Sequence, residues 1–445
     1  MSDRAPVRVA HLGLGAFHRA HQAWYTERAN DGAAEPWGIE AFTGRRPDLA
    51  AALTAQGDRY SLVVRAADGD SVSEISSIVR ATDGADGDRW RTVLSDPNVG
   101  VLTLTITEAG YLLQPALDTD LAGLVADDGS ALVTAPARIV DGLRARRRAH
   151  GGGFAVVSCD NLPGNGHVAR SVVLDLAARV DPALADWIAS TVSFVSSMVD
   201  RITPATTPAD VETVLALTGR ADAIPVVTEP FTEWILSGDF PAGRPAWEAG
   251  GARFVDDLEP FENRKLWLLN AAHSLLAYAG PPRGHETIDE AMLDPWCSDR
   301  VEQLWAEARE VLELPAAEID QSVAALRERF GNGRIRHRLA QIAADGSQKL
   351  PPRIVEVQRR RLVAGLPVGE AGALVLAAWL VHLRDHSDQV TDAAAAALAH
   401  ELPALDTAAQ VDAVLRFLAP DLAAPLAAPV TDALLALAPA RKDRS

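Results

Sequence analysis

VRVAHLGLGAFH, residues 7–18, is the stretch on which the reading of the chain turns. Val7 to Leu12 is a compact, β-branched run that Gly13-Leu14-Gly15 closes, and a helical stretch follows from about Phe17 to Asn30. A second strand-like run lies near Trp37–Phe42. Glycines at 13 and 15 permit a tight turn and let backbone N–H groups approach a pyrophosphate at a helix N-terminus. His18 stands where the usual dinucleotide fingerprint has its third glycine, so a glycine-rich turn with no ligand competes with cofactor binding. An acidic partner for the ribose hydroxyls belongs ~20 residues on. Glu40 and Asp48 are both available there and favour NAD. Arg45 and Arg46 lie between them and suit a 2′-phosphate, which leaves NADP open.

Further along, apolar runs at Val101–Ile106 and Phe154–Ser158 end at Thr107-Glu108 and Cys159-Asp160-Asn161. Short apolar strands alternating with helices predict a parallel sheet, whose ligands bind beyond the carboxyl ends of the strands. Three strand ends therefore point to one crevice. From about Pro260 the texture changes to Ala/Leu-rich helical segments: Glu262–Tyr278, Ser298–Leu312, Ile319–Phe330, Ile354–Ala364, Glu370–Arg384 and an Ala-rich tail over 392–440. Gly250 and Gly251 mark the junction. The expectation is an α/β N-terminal domain over 1–258 and a mostly helical C-terminal domain over 259–445.

The balance of 42 basic against 60 acidic residues gives the 445-residue chain a net charge of −18. Such a chain repels a phosphate backbone, so nucleic acid is excluded as a main partner. An anionic substrate would need a local cluster of Arg or Lys. Cys159 and Cys297 are too few and too far apart for a disulfide framework, and they lack metal-ligand spacing. The N-terminus MSDRAPVRVAHLG has no apolar export signal, and Ala371–Leu383 is too short to span a bilayer. These features predict a cytoplasmic protein without membrane contact, and the negative excess suits a soluble monomer.

Three segments carry candidate chemistry. In KLWLLNAAH, residues 265–273, ideal α-geometry puts His273 about 80° and Asn270 about 140° around the axis from Lys265. Leu266 to Leu269 are apolar all round, which predicts a buried helix and a desolvated lysine able to act as a base. The competing reading is a lysine that snorkels to solvent beside a core histidine. SCDNLPGNG, residues 158–166, offers an Asn amide to a developing alkoxide, or is simply a turn. Glu108 either relays protons or caps a helix. His150-Gly-Gly-Gly153 suggests a serine hydrolase, but no Gly-x-Ser-x-Gly elbow supplies a nucleophile. His285-Glu286 opens like a zinc-protease helix, yet position 289 is Asp.

Taken together these segments resemble the long-chain mannitol dehydrogenase family, the polyol-specific dehydrogenases. The likeness runs through HLGLGAFHRAHQ at 11–22, LTITEAGY at 104–111, SCDNLPGNGHV at 158–168 and MVDRITP at 198–204. It continues through EPFTEWIL at 229–236, GRPAWE at 243–248, KLWLLNAAHSLLAY at 265–278 and DGSQKLP at 345–351. His18 in place of glycine is what that family shows. The resemblance implies a Rossmann-type N-terminal domain, a helical C-terminal domain, and a substrate cleft between them. It also implies NAD- or NADP-dependent oxidation of a secondary alcohol of a sugar alcohol or aldonate, without metal. Carried over by motif, Lys265 is the general base, Asn161 and Asn270 form the oxyanion hole, His273 positions the hydroxyl, and Glu108 lies on a proton path. Gly13, Gly15, Ala16, Phe17 and His18 hold the cofactor, and Asp48 faces its adenosine ribose. Asp200 and Lys349 fall on site positions. Gln341, where mannitol 2-dehydrogenases tend to carry Arg, favours the fructuronate reductase branch. Arg338, Lys349 or Arg353 would then meet a uronate carboxylate. D-Mannonate/D-fructuronate is the first expectation, mannitol/fructose or another polyol the second, and a phosphorylated hexitol the third.

Overall fold

The computed structural model describes residues 4–44, 46–386 and 390–437. Residues 1–3, Arg45, residues 387–389 and residues 438–445, which include the end of the Ala-rich tail, lie outside the described residues. Two compact units make up the chain, Met1–Glu259 and Pro260–Ser445.

The first unit holds eleven strands: β1 Val7–Leu12, β2 Gly38–Phe42, β3 Tyr60–Ala66, β4 Gly69–Ile75, β5 Ile78–Thr82, β6 Val101–Leu104, β7 Phe154–Ser158, β8 Val192–Asp200, β9 Val226–Thr228, β10 Glu233–Ser237 and β11 Arg253–Phe254. Eight form one sheet in the order β11-β10-β8-β7-β6-β1-β2-β5, and β4-β3-β9 form a small second sheet. From β5 to β8 every pairing is parallel; β10 then runs antiparallel to β8. Numbered as the parallel strands occur, the order is 3-2-1-4-5-6, the doubly wound arrangement of dinucleotide-binding domains. Alternate residues of β1 feed opposite layers: Val9 packs in one core cluster, Ala10 and Leu12 in the other. Strands buried on both faces read as near-continuous apolar runs, as β6, β7 and most of β1 do, and the buried polar residues His11 of β1 and Thr103 of β6 are bonded to each other.

The chain leaves β1 toward β2 on one side and later returns at β6 on the other. The strand order reverses there, and the crevice that opens beyond such a switch point is where ligands bind in open parallel sheets. The helix expected over Phe17–Asn30 is two helices, Ala16–Ala20 and Gln22–Asn30, broken at His21.

The second unit is helical around one large core that includes Trp267, Trp305, Trp379 and Phe330. Its segments match the expected helices with two differences of register. Glu262–Tyr278 is a continuous helical stretch interrupted by a π-helical turn over Lys265–Asn270, and a second π turn occupies Pro351–Val355 before the helix Glu356–Val363. Pro351 and Pro352 lack the N–H groups an α-ladder needs, which explains the second interruption. Among the described residues no helix is long and apolar enough to cross a membrane.

Candidate active site

In the first unit the glycine turn is fixed from both sides. Gly13 has φ +107°, and a Cβ there would lie 2.1 Å from the Thr105 carbonyl oxygen, so only glycine fits. The amides of Gly13 and Leu14 donate to the Phe42 carbonyl at the end of β2 (3.0 and 2.9 Å). From the β6 side, Thr105 Oγ1 donates to the Gly13 carbonyl at 2.8 Å. At Gly15 a Cβ would meet only the Gly13 carbonyl, at 3.6 Å, so the absent side chain leaves the helix entry open to a ligand. Beneath the turn, His18 stacks on His11 with ring centroids 3.3 Å apart and 9° between planes. Both rings are buried. His11 bonds Thr103 Oγ1 (2.8 Å) and Thr105 Oγ1 (3.1 Å), whereas neither ring nitrogen of His18 has a hydrogen-bond partner. Burial lowers the pKa of His11 to about 3, and burial with the neighbouring His11 holds His18 far below the usual histidine range. The third glycine is thus replaced by a neutral imidazole that packs as a flat plate.

Glu40 is not available to a ribose. It is fully buried in β2 and takes a bidentate pair from Arg89, with Nε at 2.7 Å, and a bond from Thr82 Oγ1 at 2.9 Å. Asp48 is exposed in the first turn of the helix Asp48–Ala55, just past the end of β2. Asp200, nearly buried, ends β8 opposite Glu233 of β10.

Asp160, passed over in the sequence, organises the neighbouring strand ends. Its carboxylate accepts from the amides of Thr107 (2.7 Å) and Ile106 (3.2 Å) and from the Tyr111 hydroxyl (2.9 Å). That clamp spans from the end of β7 to the loop after β6. Within the loop Thr107 sits at φ +66°, an unusual backbone state for a β-branched residue, and Glu108 starts a short 3₁₀ turn, exposed. Burial raises the Asp160 pKa even against these three donors, and burial keeps the Tyr111 phenol un-ionised. The only sequence signal for this role was an acid adjoining two candidate motifs. After β7, Asn165 opens the helix Asn165–Val180 and is buried and structural: its Nδ2 donates to the carbonyls of Asp160 (2.9 Å) and Ser197 (2.8 Å). Gly166 leaves no room for a Cβ, which would fall 2.6 Å from the Ser196 nitrogen. Asn161, by contrast, is exposed at the tip.

In the second unit Lys265 and Asn270 bracket the π turn, both half-buried, while Trp267, Leu268 and Leu269 are buried. The amide of Ala271 reaches the Leu266 carbonyl five residues back. With the wider turn of i→i+5 bonding, residues five apart diverge by only about 50°, so the 140° separation expected from α-geometry is superseded. His273, one turn on, is 6% exposed, packs against Phe330 (5.1 Å) and His337 (5.0 Å), and has no hydrogen-bond partner at Nε2. Burial holds it neutral, reinforced by the charges of His337, Arg353, Arg329 and Lys265. Arg353 Nη1 donates to Ser274 Oγ (3.2 Å) and to the Asn270 carbonyl (3.4 Å).

The cations expected to meet a carboxylate are placed differently from one another. Lys349 donates to the carbonyls of Ala344 (2.6 Å) and Ile342 (3.3 Å), closing the end of a short helix. Arg338 and Gln341 are exposed on that helix, and the Arg338 side chain has no ion pair or hydrogen bond among the described residues. His285, Asp294 and Cys297 bring three metal-type ligand atoms within 4.8 Å of one another. Arg283 already donates to Asp294, and burial raises the Cys297 thiol to about 11, so the trio is a compensated helix cap.

The Mannitol dehydrogenase Rossmann domain model matches residues 7–249, and the Mannitol dehydrogenase C-terminal domain model matches residues 257–429. The chain is 37% identical over 389 residues to the D-mannonate oxidoreductase of Escherichia coli K12, covering 83% of this chain and 80% of that protein. It is 35% identical over 383 residues to the mannitol 2-dehydrogenase of Cereibacter sphaeroides, covering 83% and 80%. The structure of Pseudomonas fluorescens mannitol 2-dehydrogenase, in ternary complex with NAD and D-mannitol, superposes with a TM-score of 0.80 at 33% identity, covering 97% of this chain and 90% of that one. Matched over residues 7–249 and 257–429 by the two domain models and over most of its length by these enzymes, the chain belongs to the mannitol dehydrogenase family.

Proposed function

We propose that this protein interconverts an aldonate and its ketose, D-mannonate and D-fructuronate, by NAD-dependent hydride transfer without a metal. One observation carries the reading: β1, β6 and β7 are adjacent, so their carboxyl ends deliver the glycine turn, Glu108 and Asn161 to the same edge of the sheet at its switch point. The open helix entry at Gly15 and the Gly13 turn fit a pyrophosphate, with Ala16, Phe17 and His18 forming the start of the helix behind it. Asp48, at the end of the neighbouring strand, takes the adenosine ribose. Nicotinamide, when bound, supplies the hydride acceptor.

The protein's own residues handle the proton and the charge. Hydride leaves a carbinol carbon as its hydroxyl proton is withdrawn, and the neutral amine of Lys265 accepts that proton. Asn161 and Asn270 donate amide N–H groups to the oxygen as it becomes an alkoxide, and neutral donors serve at any pH near 7. Neutral His273 orients the same hydroxyl through Nε2, and Glu108 passes the proton outward. For the substrate, two arginines, Arg353 and Arg329, put positive charge near His273, in a chain of net charge −18. An anionic polyol is drawn to such a locus, while a neutral one gains nothing from it. Asp200, Arg338, Gln341 and Lys349 lie on the remaining substrate positions. Steady-state assays with D-fructuronate and D-fructose in parallel test this reading.

A further inference from the structure

The π turn at Lys265–Asn270 has no internal cause. Its sequence, KLWLLN, contains neither Gly nor Pro, and each residue is compatible with an α-helix. What surrounds it is a set of side chains that donate into its backbone. Trp305 Nε1 donates to the Leu268 carbonyl at 2.9 Å, in a buried bond. The Asn270 carbonyl accepts from Arg353 Nη1 at 3.4 Å and from Ser274 Oγ at 3.1 Å. In the other direction, Trp267 Nε1 donates to the Pro352 carbonyl at 3.1 Å, which ties the first π turn to the second one, where Arg353 resides. The Leu268 carbonyl, which also takes the Ala271 amide, and the Asn270 carbonyl are thus bonded by side chains from other segments as well, and a buried carbonyl that lost a donor would be costly.

We propose that Trp305 and Arg353 are positioning residues that hold the π register and so keep Lys265 and Asn270 on one face of the helix. The inference rests on the base and oxyanion roles given to those two residues above. In the α register residues five apart diverge by about 140°, and the amine and the amide would face different surroundings. In the π register they diverge by only about 50° and share one face, as a proton acceptor and an alkoxide donor serving one oxygen must. Neither Trp305 nor Arg353 needs to touch the substrate for this.

The test uses Trp305→Phe, which deletes the N–H while keeping an aromatic ring, though a smaller one, and Arg353→Ala, each in the full-length enzyme. Crystal structures of the variants are expected to show residues 265–270 relaxed toward the α register; a retained π turn in both overturns the proposal, whatever the enzyme reduces. Kinetically, kcat is expected to fall ~100-fold, the scale of an ångström-sized misplacement, with NADH affinity within about twofold of wild type. Free guanidinium should partly restore Arg353→Ala. Trp305→Phe should add little to the loss already caused by Asn270→Ala, because both act through one group. Unchanged kcat in folded variants overturns the proposal. So does an Arg353→Ala defect confined to KM for the carboxylate-bearing substrate, which would make Arg353 a substrate ligand. Should the wild-type enzyme reduce neither D-fructuronate nor D-fructose, the functional reading fails, and the crystal structures still decide the register.

Discussion

Lys265 and Asn270 stand five residues apart at the two ends of a single π turn, which brings them to one face, about 50° apart, where α-helical spacing would separate them by about 140°. If Lys265 is the base, Lys265→Ala should lower kcat by roughly 10²–10⁴-fold while NADH affinity, read by fluorescence titration, stays near wild type. Joint loss of binding and turnover would instead make the lysine structural. The wild-type pH profile should carry one ionisation that the variant lacks.

Asn161→Ala and Asn270→Ala each remove one donor to the alkoxide, and each should cost about 10²–10³ in kcat with little change in KM. Asn161 is exposed whereas Asn165 is buried and bonds two carbonyls, so Asn161→Ala should move the thermal midpoint less than Asn165→Ala. A stability loss in Asn161→Ala comparable to that of Asn165→Ala would contradict the assignment.

Asp160→Ala should behave differently from either. It strands the Ile106 and Thr107 amides and the Tyr111 hydroxyl, a destabilisation of roughly 1–3 kcal/mol, and releases Thr107 from its left-handed conformation. Denaturant unfolding reads the stability, and turnover should fall with it because Glu108 and Asn161 both adjoin the clamp. An Asp160→Ala variant as stable and active as wild type would show the clamp to be idle.

Acid should unfold the first unit through its buried histidines. The folded-state pKa values of His11 and His18 lie below the ordinary 6.5, His11 at about 3. Between the folded and unfolded values the unfolded chain binds more protons, so stability is complete above pH ~6.5 and declines as pH falls below it, by up to ~1.4 kcal/mol per pH unit for each histidine. Thermal midpoints from pH 8 to pH 4.5 would record this. His18→Phe, which keeps the plate on His11 and removes two unpaired nitrogens, should flatten the slope; an unaltered slope would place the acid sensitivity elsewhere.

The fold was largely legible because its central strands are buried on both faces and its helices are long and periodic. β1, β6, β7 and the helical second half follow from those patterns. The edge strands β9 and β11, three and two residues long, are too short to leave a pattern. The motifs carried the site's residue types, but their geometry depended on partners distant in sequence. Glu40 looked available until Arg89, 49 residues away, was found on it. The Lys349 motif shows a cation, but not that two of its N–H groups are already bonded to the Ala344 and Ile342 carbonyls. The π turn was invisible because its causes, Trp305 and Arg353, lie outside the motif it reshapes.

The most direct measurement is NADH oxidation by the purified protein, with EDTA present and D-fructuronate and D-fructose offered in parallel. The account predicts rapid oxidation with D-fructuronate and little with D-fructose. Turnover of D-fructose alone, or turnover abolished by EDTA and restored by a divalent metal, would contradict it.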